Sequence, residues 1–120
     1  MNARIVAIAL LGLAAAPLTA YAHHSAAQFD LSIRDNFVTG IVKEWRPANP
    51  HTKIVPTITD EKGTRDVEFE GHSRNNFYRS GLRDGMVKIG DEITLQAAPM
   101  RDGSDGGYVL GGTAADGSKF

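Results

Sequence analysis

The residues with the clearest chemical potential are four histidines, two of which are adjacent: His23 and His24. Imidazole nitrogens bind divalent transition metals and titrate close to neutral pH. The other two, His51 and His72, lie far from the first pair in the sequence, so only the fold can bring the four together. The chain has no cysteine, and any metal site must therefore use nitrogen and oxygen ligands.

The histidine pair directly follows a segment with the layout of a secretory signal peptide. Residues 1–22 contain Arg4, an apolar run over 5–16, Pro17 and the small-residue cleavage triplet Ala20-Tyr21-Ala22. The apolar run is too short to span a bilayer, although a retained membrane anchor is the alternative. Cleavage after Ala22 would make His23 the first residue. We therefore expect a periplasmic or secreted protein with no membrane span after processing.

The composition of the remaining chain restricts its function. Removing 22 of the 120 residues leaves 98, enough for one domain, with 12 basic and 14 acidic residues. No basic excess exists to hold nucleic acid. The sequence also has no nucleophile motif, no cysteine and no phosphate-binding glycine loop. These observations favour a binding protein over an enzyme.

The pattern after a polar N-terminal arm at 23–35 predicts a small all-β domain over 36–120. Alternating apolar residues and turn signals indicate five strands, and Ser73 can cap a short helix that Gly81 would end. The predicted elements are strands at 36–45, 51–59, 64–72, 92–99 and 108–113, and a helix at 74–80. This order predicts a five-stranded antiparallel barrel of the OB type, with a small β-sandwich as the alternative. Gly40 would let the long first strand bend.

A turn between the second and third strands sets their register. If Glu61 and Lys62 are the two loop residues, the register pairs Ile54 with Phe69, Pro56 with Val67, Lys53 with Glu70 and His51 with His72. Opposed Cβ atoms lie about 4.5–5.5 Å apart, so two imidazoles could share one ligand. Pro56 cannot donate a backbone hydrogen bond, which predicts a bulge or an exposed edge at that point.

The leading hypothesis is a metal site built from His23, His24, His51 and His72. An N-terminal His23 could chelate through its α-amine and imidazole, and an all-nitrogen ligand set favours copper, followed by zinc or nickel. Each histidine also has an ordinary structural interpretation, as a solvated terminus, a turn residue or a strand end.

A metal-free barrel is the second hypothesis. It would bind a small organic ligand, a glycan or a periplasmic protein partner through the loops around Trp45, Arg46, Asn49 and Arg101, because OB-type barrels bind through these loops.

Several motifs of the mature chain resemble a family of small exported bacterial proteins that is classed only as a domain of unknown function. They are His23-His24-Ser25, Thr39-Gly40, Trp45, Asn49-Pro50-His51, Asn75, Arg79, Gly81, Gly90-Asp91, Arg101-Asp102-Gly103-Ser104 and Asp116-Gly117. The resemblance implies an exported single-domain β protein without an assigned activity. It includes the double histidine and His51, whereas the position of His72 is typically small, which leaves His23, His24 and His51 as the core of the metal hypothesis.

Overall fold

The computed structural model describes residues 26–120. The predicted signal peptide, His23 and His24 lie outside these residues. The described elements are strands β1 (Phe37–Arg46), β2 (Thr52–Asp60), β3 (Gly63–Asp66), β4 (Phe69–Gly71), β5 (Glu92–Pro99) and β6 (Gly107–Thr113), with helix α1 (Arg74–Arg79) between β4 and β5. No helix within residues 26–120 has the length and apolar character needed to cross a membrane.

The predicted five-stranded barrel is confirmed. Its strands follow the order β1-β5-β6-β4-β2, and a further pairing between β2 and β1 closes the ring. The short strand β3 is additional and extends the sheet beyond β2. Four of the five pairings in the ring are antiparallel, while β4 and β6 run in the same direction. The pairing within the barrel is therefore mixed, and the predicted antiparallel arrangement is wrong for this one pairing.

Strand β1 bends so that it pairs with two neighbours. Its first half pairs with β5 and its second half with β2, with a bulge between Val42 and Glu44. Gly40 lies where β1 passes closest to β2, because a Cβ atom at this position would be 2.7 Å from the carbonyl oxygen of Thr57. The bend requires a residue without a side chain.

Pro56 divides the predicted third strand into β3 and β4. The N–H of Val67 donates to the carbonyl of Pro56 at 3.0 Å, but proline has no N–H to return the second bond of the pair. Pairing with β2 resumes on both sides of this gap. On the side of β2 that faces β1, Pro56 pairs with Val42, next to the β1 bulge. The predicted bulge at Pro56, which lacks a backbone N–H donor, is thus found on the partner strand.

The predicted register across the Glu61-Lys62 turn is confirmed. The paired residues are Asp60 with Gly63, Thr59 with Thr64, Ile58 with Arg65, Thr57 with Asp66, Ile54 with Phe69, Lys53 with Glu70 and Thr52 with Gly71. This register directs Ile54 and Phe69 into the core. Beyond the last pair, the N–H of Thr52 donates to the carbonyl of His72 at 3.1 Å. The two segments are therefore hydrogen-bonded as far as the histidines.

Helix α1 packs on the hydrophobic core through Phe77. Ser73 caps the helix by accepting a hydrogen bond from the N–H of Asn76 at 3.2 Å, as predicted. Phe77 is 1% exposed and packs with its ring centroid 5.3 Å from that of Phe120. Gly81 follows the helix with a φ of +120°, a conformation that glycine adopts without strain.

The described part of the N-terminal arm is docked on the barrel. Phe29 is 4% exposed and forms an isolated β-bridge with Met100. The N–H of Asp30 donates to the carbonyl of Pro99, and the N–H of Arg101 donates to the carbonyl of Gln28, both at 2.8 Å. These bonds fasten the arm to the end of β5.

Substitution of Gly40 tests the close approach of β1 and β2. We expect Gly40→Ala to lower the free energy of unfolding by about 1–3 kcal/mol, because the added methyl group forces the two strands apart. Urea denaturation measures this change. Glu92→Gln, at an exposed position at the start of β5, is the control and should stay within about 0.5 kcal/mol of the parent protein. Equal stability of all three proteins would contradict the packing described for β1.

Candidate functional site

A pocket of about 370 Å³ lies on the outer surface of the barrel, between the N-terminal arm and strands β2, β4 and β6. The arm contributes Ala26, Phe29, Leu31 and Arg34 to its wall. The barrel contributes His51, Glu70, His72, Tyr108 and Leu110. The wall is thus largely apolar, with a few ionisable groups.

Strand alternation places the barrel residues of the pocket on the outer surface. Thr52 is 2% exposed and faces the core, so its neighbours His51 and Lys53 face outward. Glu70 pairs with Lys53 on one side and, across the parallel seam, with Tyr108 on the other. Residues from three strands therefore meet on one face.

Tyr108 is the common contact of the pocket. Its ring centroid lies 5.2 Å from that of His72 and 6.3 Å from that of His51, and both pairs have an edge-to-face arrangement. Phe29 of the arm packs on the same ring, with centroids 5.4 Å apart. The tyrosine thus fixes the two imidazoles and the arm relative to one another.

His51 is oriented by two acceptors next to its Nδ1 atom. Nδ1 lies 3.3 Å from the carbonyl oxygen of Gly71 and 3.4 Å from Oε1 of Glu70. A proton on Nδ1 satisfies these acceptors and leaves the lone pair of Nε2 for a ligand. Metal-binding histidines are commonly held in this way, by a carboxylate or a carbonyl on the nitrogen that does not bind the metal.

His72 has an environment that keeps its imidazole neutral. Burial lowers the pKa of His72, and the positive charges of Arg34 and His51 lower it further. Its Nδ1 atom lies 3.3 Å from the hydroxyl of Tyr108, and either group can donate. Burial, together with the charge of Glu70, raises the pKa of Tyr108, so the phenol also stays neutral at pH 7. A neutral imidazole is the form that binds a metal.

The four predicted metal ligands divide into two groups. His51 and His72 line one pocket, in agreement with the register that predicts their proximity. His23 and His24 lie outside the described residues, but Ala26, three positions after His23, contributes to the pocket wall. Within residues 26–120, no three His, Asp or Glu side chains are grouped closely enough to hold a metal ion.

The four residues predicted for the second hypothesis lie elsewhere, and none of them lines this pocket. Trp45 packs against the core, 6.0 Å from the ring centroid of Phe120, and Arg46 has Nη2 3.3 Å from Oε1 of Glu44. Asn49, whose bond to Pro50 is cis, accepts a hydrogen bond from the N–H of Asn75 at 3.2 Å. Arg101 donates from Nε to the carbonyl of Ala27 at 3.0 Å and so holds the arm.

Sequence reasoning did not identify Tyr108, Arg34 and Phe29 as parts of the site. Tyr108 reaches it through the parallel pairing of β6 with β4, and no turn between these strands sets their register. Phe29 and Arg34 lie in the predicted N-terminal arm. The available signal was the alternation of Phe29, Leu31 and Ile33 with polar residues, which is typical of an extended segment.

The chain belongs to a family of unknown function (DUF6152), whose model matches residues 9–109. No curated protein matches it, and no solved structure does so either.

The environment of His72 predicts a pH dependence of stability. In the unfolded chain His72 takes up a proton at its ordinary pKa of about 6.5, whereas the fold lowers this pKa. The unfolded state therefore binds more protons between the two pKa values, and stability should fall as the pH drops below about 6.5, until the folded-state pKa is passed.

Urea unfolding at several pH values measures this slope, which His72→Gln should reduce. NMR titration of the imidazole in the parent protein gives the pKa directly, and Arg34→Gln should raise it. A midpoint at or above the ordinary pKa would contradict the assigned burial effect.

Proposed function

We propose that this DUF6152 member is an exported binding protein that captures a divalent transition metal, copper in preference to zinc. The ligands would be the α-amine and imidazole of His23 and the imidazoles of His51 and His72, with His24 as an auxiliary ligand. One observation carries the proposal. His51 and His72 line one pocket, and the wall of that pocket includes Ala26, only three residues after His23.

Covalent geometry supports the participation of the chain end. Consecutive Cα atoms are 3.80 Å apart, so the Cα of His23 lies within about 11 Å of the Cα of Ala26. The imidazole extends this reach further. After cleavage following Ala22, the terminal amine would therefore be within reach of the pocket.

The protonation states of the described residues also support metal binding. His72 is neutral at pH 7 because burial lowers its pKa, and His51 can present Nε2 while Nδ1 faces Gly71 and Glu70. A terminal amine has an ordinary pKa of about 7.7–8, so a cation can displace its proton near neutral pH. The resulting set of nitrogen donors suits copper(II) best among the common divalent metals.

Because residues 26–120 contain no group of three suitable ligands, the proposed site depends on the free N-terminus. This dependence separates the proposal from adventitious binding by two surface imidazoles. It also makes signal-peptide cleavage the step that would create the site, in the periplasm or outside the cell.

Copper titration of two forms of the protein tests the proposal. One form begins at His23 with a free α-amine, and in the other that amine is acetylated. We expect acetylation to weaken copper(II) binding at least about tenfold, measured by calorimetry against a competing chelator, because the acetylated nitrogen no longer chelates together with the imidazole of His23.

His51→Gln and His72→Gln should each weaken binding of the form with the free amine as well. Lys62→Gln, in the exposed β2–β3 turn, is the control and should bind copper like the parent. Equal affinities of the free and acetylated forms would overturn the proposal.

The predicted cleavage site is tested by the mass of the exported protein. Expression of the full-length chain should yield a product that begins at His23, because Ala20-Tyr21-Ala22 has the small-residue pattern that signal peptidase requires. Intact-mass spectrometry measures this directly. A product that retains residues before His23 would contradict it and remove the chelating terminus.

A further inference from the structure

Part of the pocket wall is apolar, and apolar side chains do not contribute to metal binding. Phe29, Leu31 and Leu110 line it beside the histidines, and Leu31 is 41% exposed despite its size. Nitrogen ligands alone would bind the metal. The volume of about 370 Å³ lies in the range of small-molecule sites, about 300–1,000 Å³, which are typically apolar with a few fixed polar groups.

Arg34 supplies a positive charge to this wall. Among residues 26–120, its guanidinium has no ion-pair or hydrogen-bond partner. Its backbone is held in place, because Nε2 of Gln96 donates to the carbonyl of Arg34 at 2.6 Å. Arg34 is also near enough to His72 to lower the pKa of that imidazole. A guanidinium in this setting is suited to bind a carboxylate through two parallel hydrogen bonds.

Glu70 is the one carboxylate of the wall, and it is associated with a different group. Its Oε1 atom lies 3.4 Å from Nδ1 of His51. No ion pair joins Glu70 to Arg34 in the part of the chain that the structure describes. The guanidinium therefore keeps its donors available for an anionic ligand.

We infer that the pocket binds a small organic carboxylate, with its carboxyl group on Arg34 and its apolar body against Phe29, Leu31 and Leu110. This binding is independent of the proposed metal site, since neither Arg34 nor the apolar side chains bind metals. Hexanoate is a suitable probe because it combines one carboxylate with a short alkyl chain. Hexanol and hexylamine have the same chain with a neutral and a positive end group.

NMR titration of the isotope-labelled, EDTA-treated protein with the three probes tests the inference. Hexanoate should bind most tightly and shift the amide signals of Leu31, Arg34 and Leu110. Arg34→Gln should weaken hexanoate binding at least about tenfold and leave hexanol binding unchanged. Arg79→Gln, at an exposed arginine of α1 outside the pocket, is the matched control and should bind hexanoate like the parent.

Equal hexanoate affinities of Arg34→Gln and the parent would overturn the inference. Tighter binding of hexylamine would also overturn it, because Glu70 would then be the recognising charge. Hexanoate binding that is found only in a separate calorimetric titration with added copper would show that the metal, and not Arg34, holds the carboxylate, and would overturn the inference. Because the NMR titrations contain no metal, their failure is distinct from a failure of the copper titration.

Discussion

Strand β4 pairs with β6 through Glu70 beside Tyr108 and Gly71 beside Val109, and this seam is the one parallel pairing in the ring of the barrel. Glycine at position 71 suits the seam, because a Cβ atom there would lie tightly, 3.1 Å from the Cβ of Val109 and 3.2 Å from the ring of Phe77. Because Gly71 faces inward, alternation turns its neighbours Glu70 and His72 outward. The same seam brings Tyr108 into contact with His72, so the candidate site depends on the β4–β6 pairing.

Tyr108 connects the packing of the fold with the chemistry of the pocket. One face of the barrel would be open to solvent at this point without the arm, but Phe29 packs on the tyrosine ring and is itself anchored by its bridge to Met100. Desolvation of this region lowers the pKa of His72 and raises that of Tyr108. Both groups are consequently neutral, polar and partly buried at pH 7, which suits them to bind a ligand without a prior proton transfer.

The docked arm gives the pocket two chemically different parts. Residues of the barrel supply imidazoles whose nitrogens can bind a metal, whereas the arm supplies Leu31 and Arg34, which suit an organic anion. Both parts depend on the backbone bonds that join residues 28 and 30 to the end of β5. Arg101, predicted as a ligand-binding residue, contacts the carbonyl of Ala27 and so helps to hold the arm.

Local patterns in the sequence predicted the capped helix, the β2–β4 register and the strands, apart from the interruption opposite Pro56 that separates β3 from β4. With Glu61 and Lys62 as the loop residues, the position of the turn sets which residues of β2, β3 and β4 are paired. A slip of one residue would expose Ile54 and Phe69 to water. That register also determined that His51 and His72 approach one another.

Only the tertiary structure decided that Tyr108, Phe29 and Arg34 join them. The β4–β6 seam and the bridge from Phe29 to Met100 connect segments with no shared turn. Their registers come from side-chain packing across the closed barrel, which no local pattern encodes.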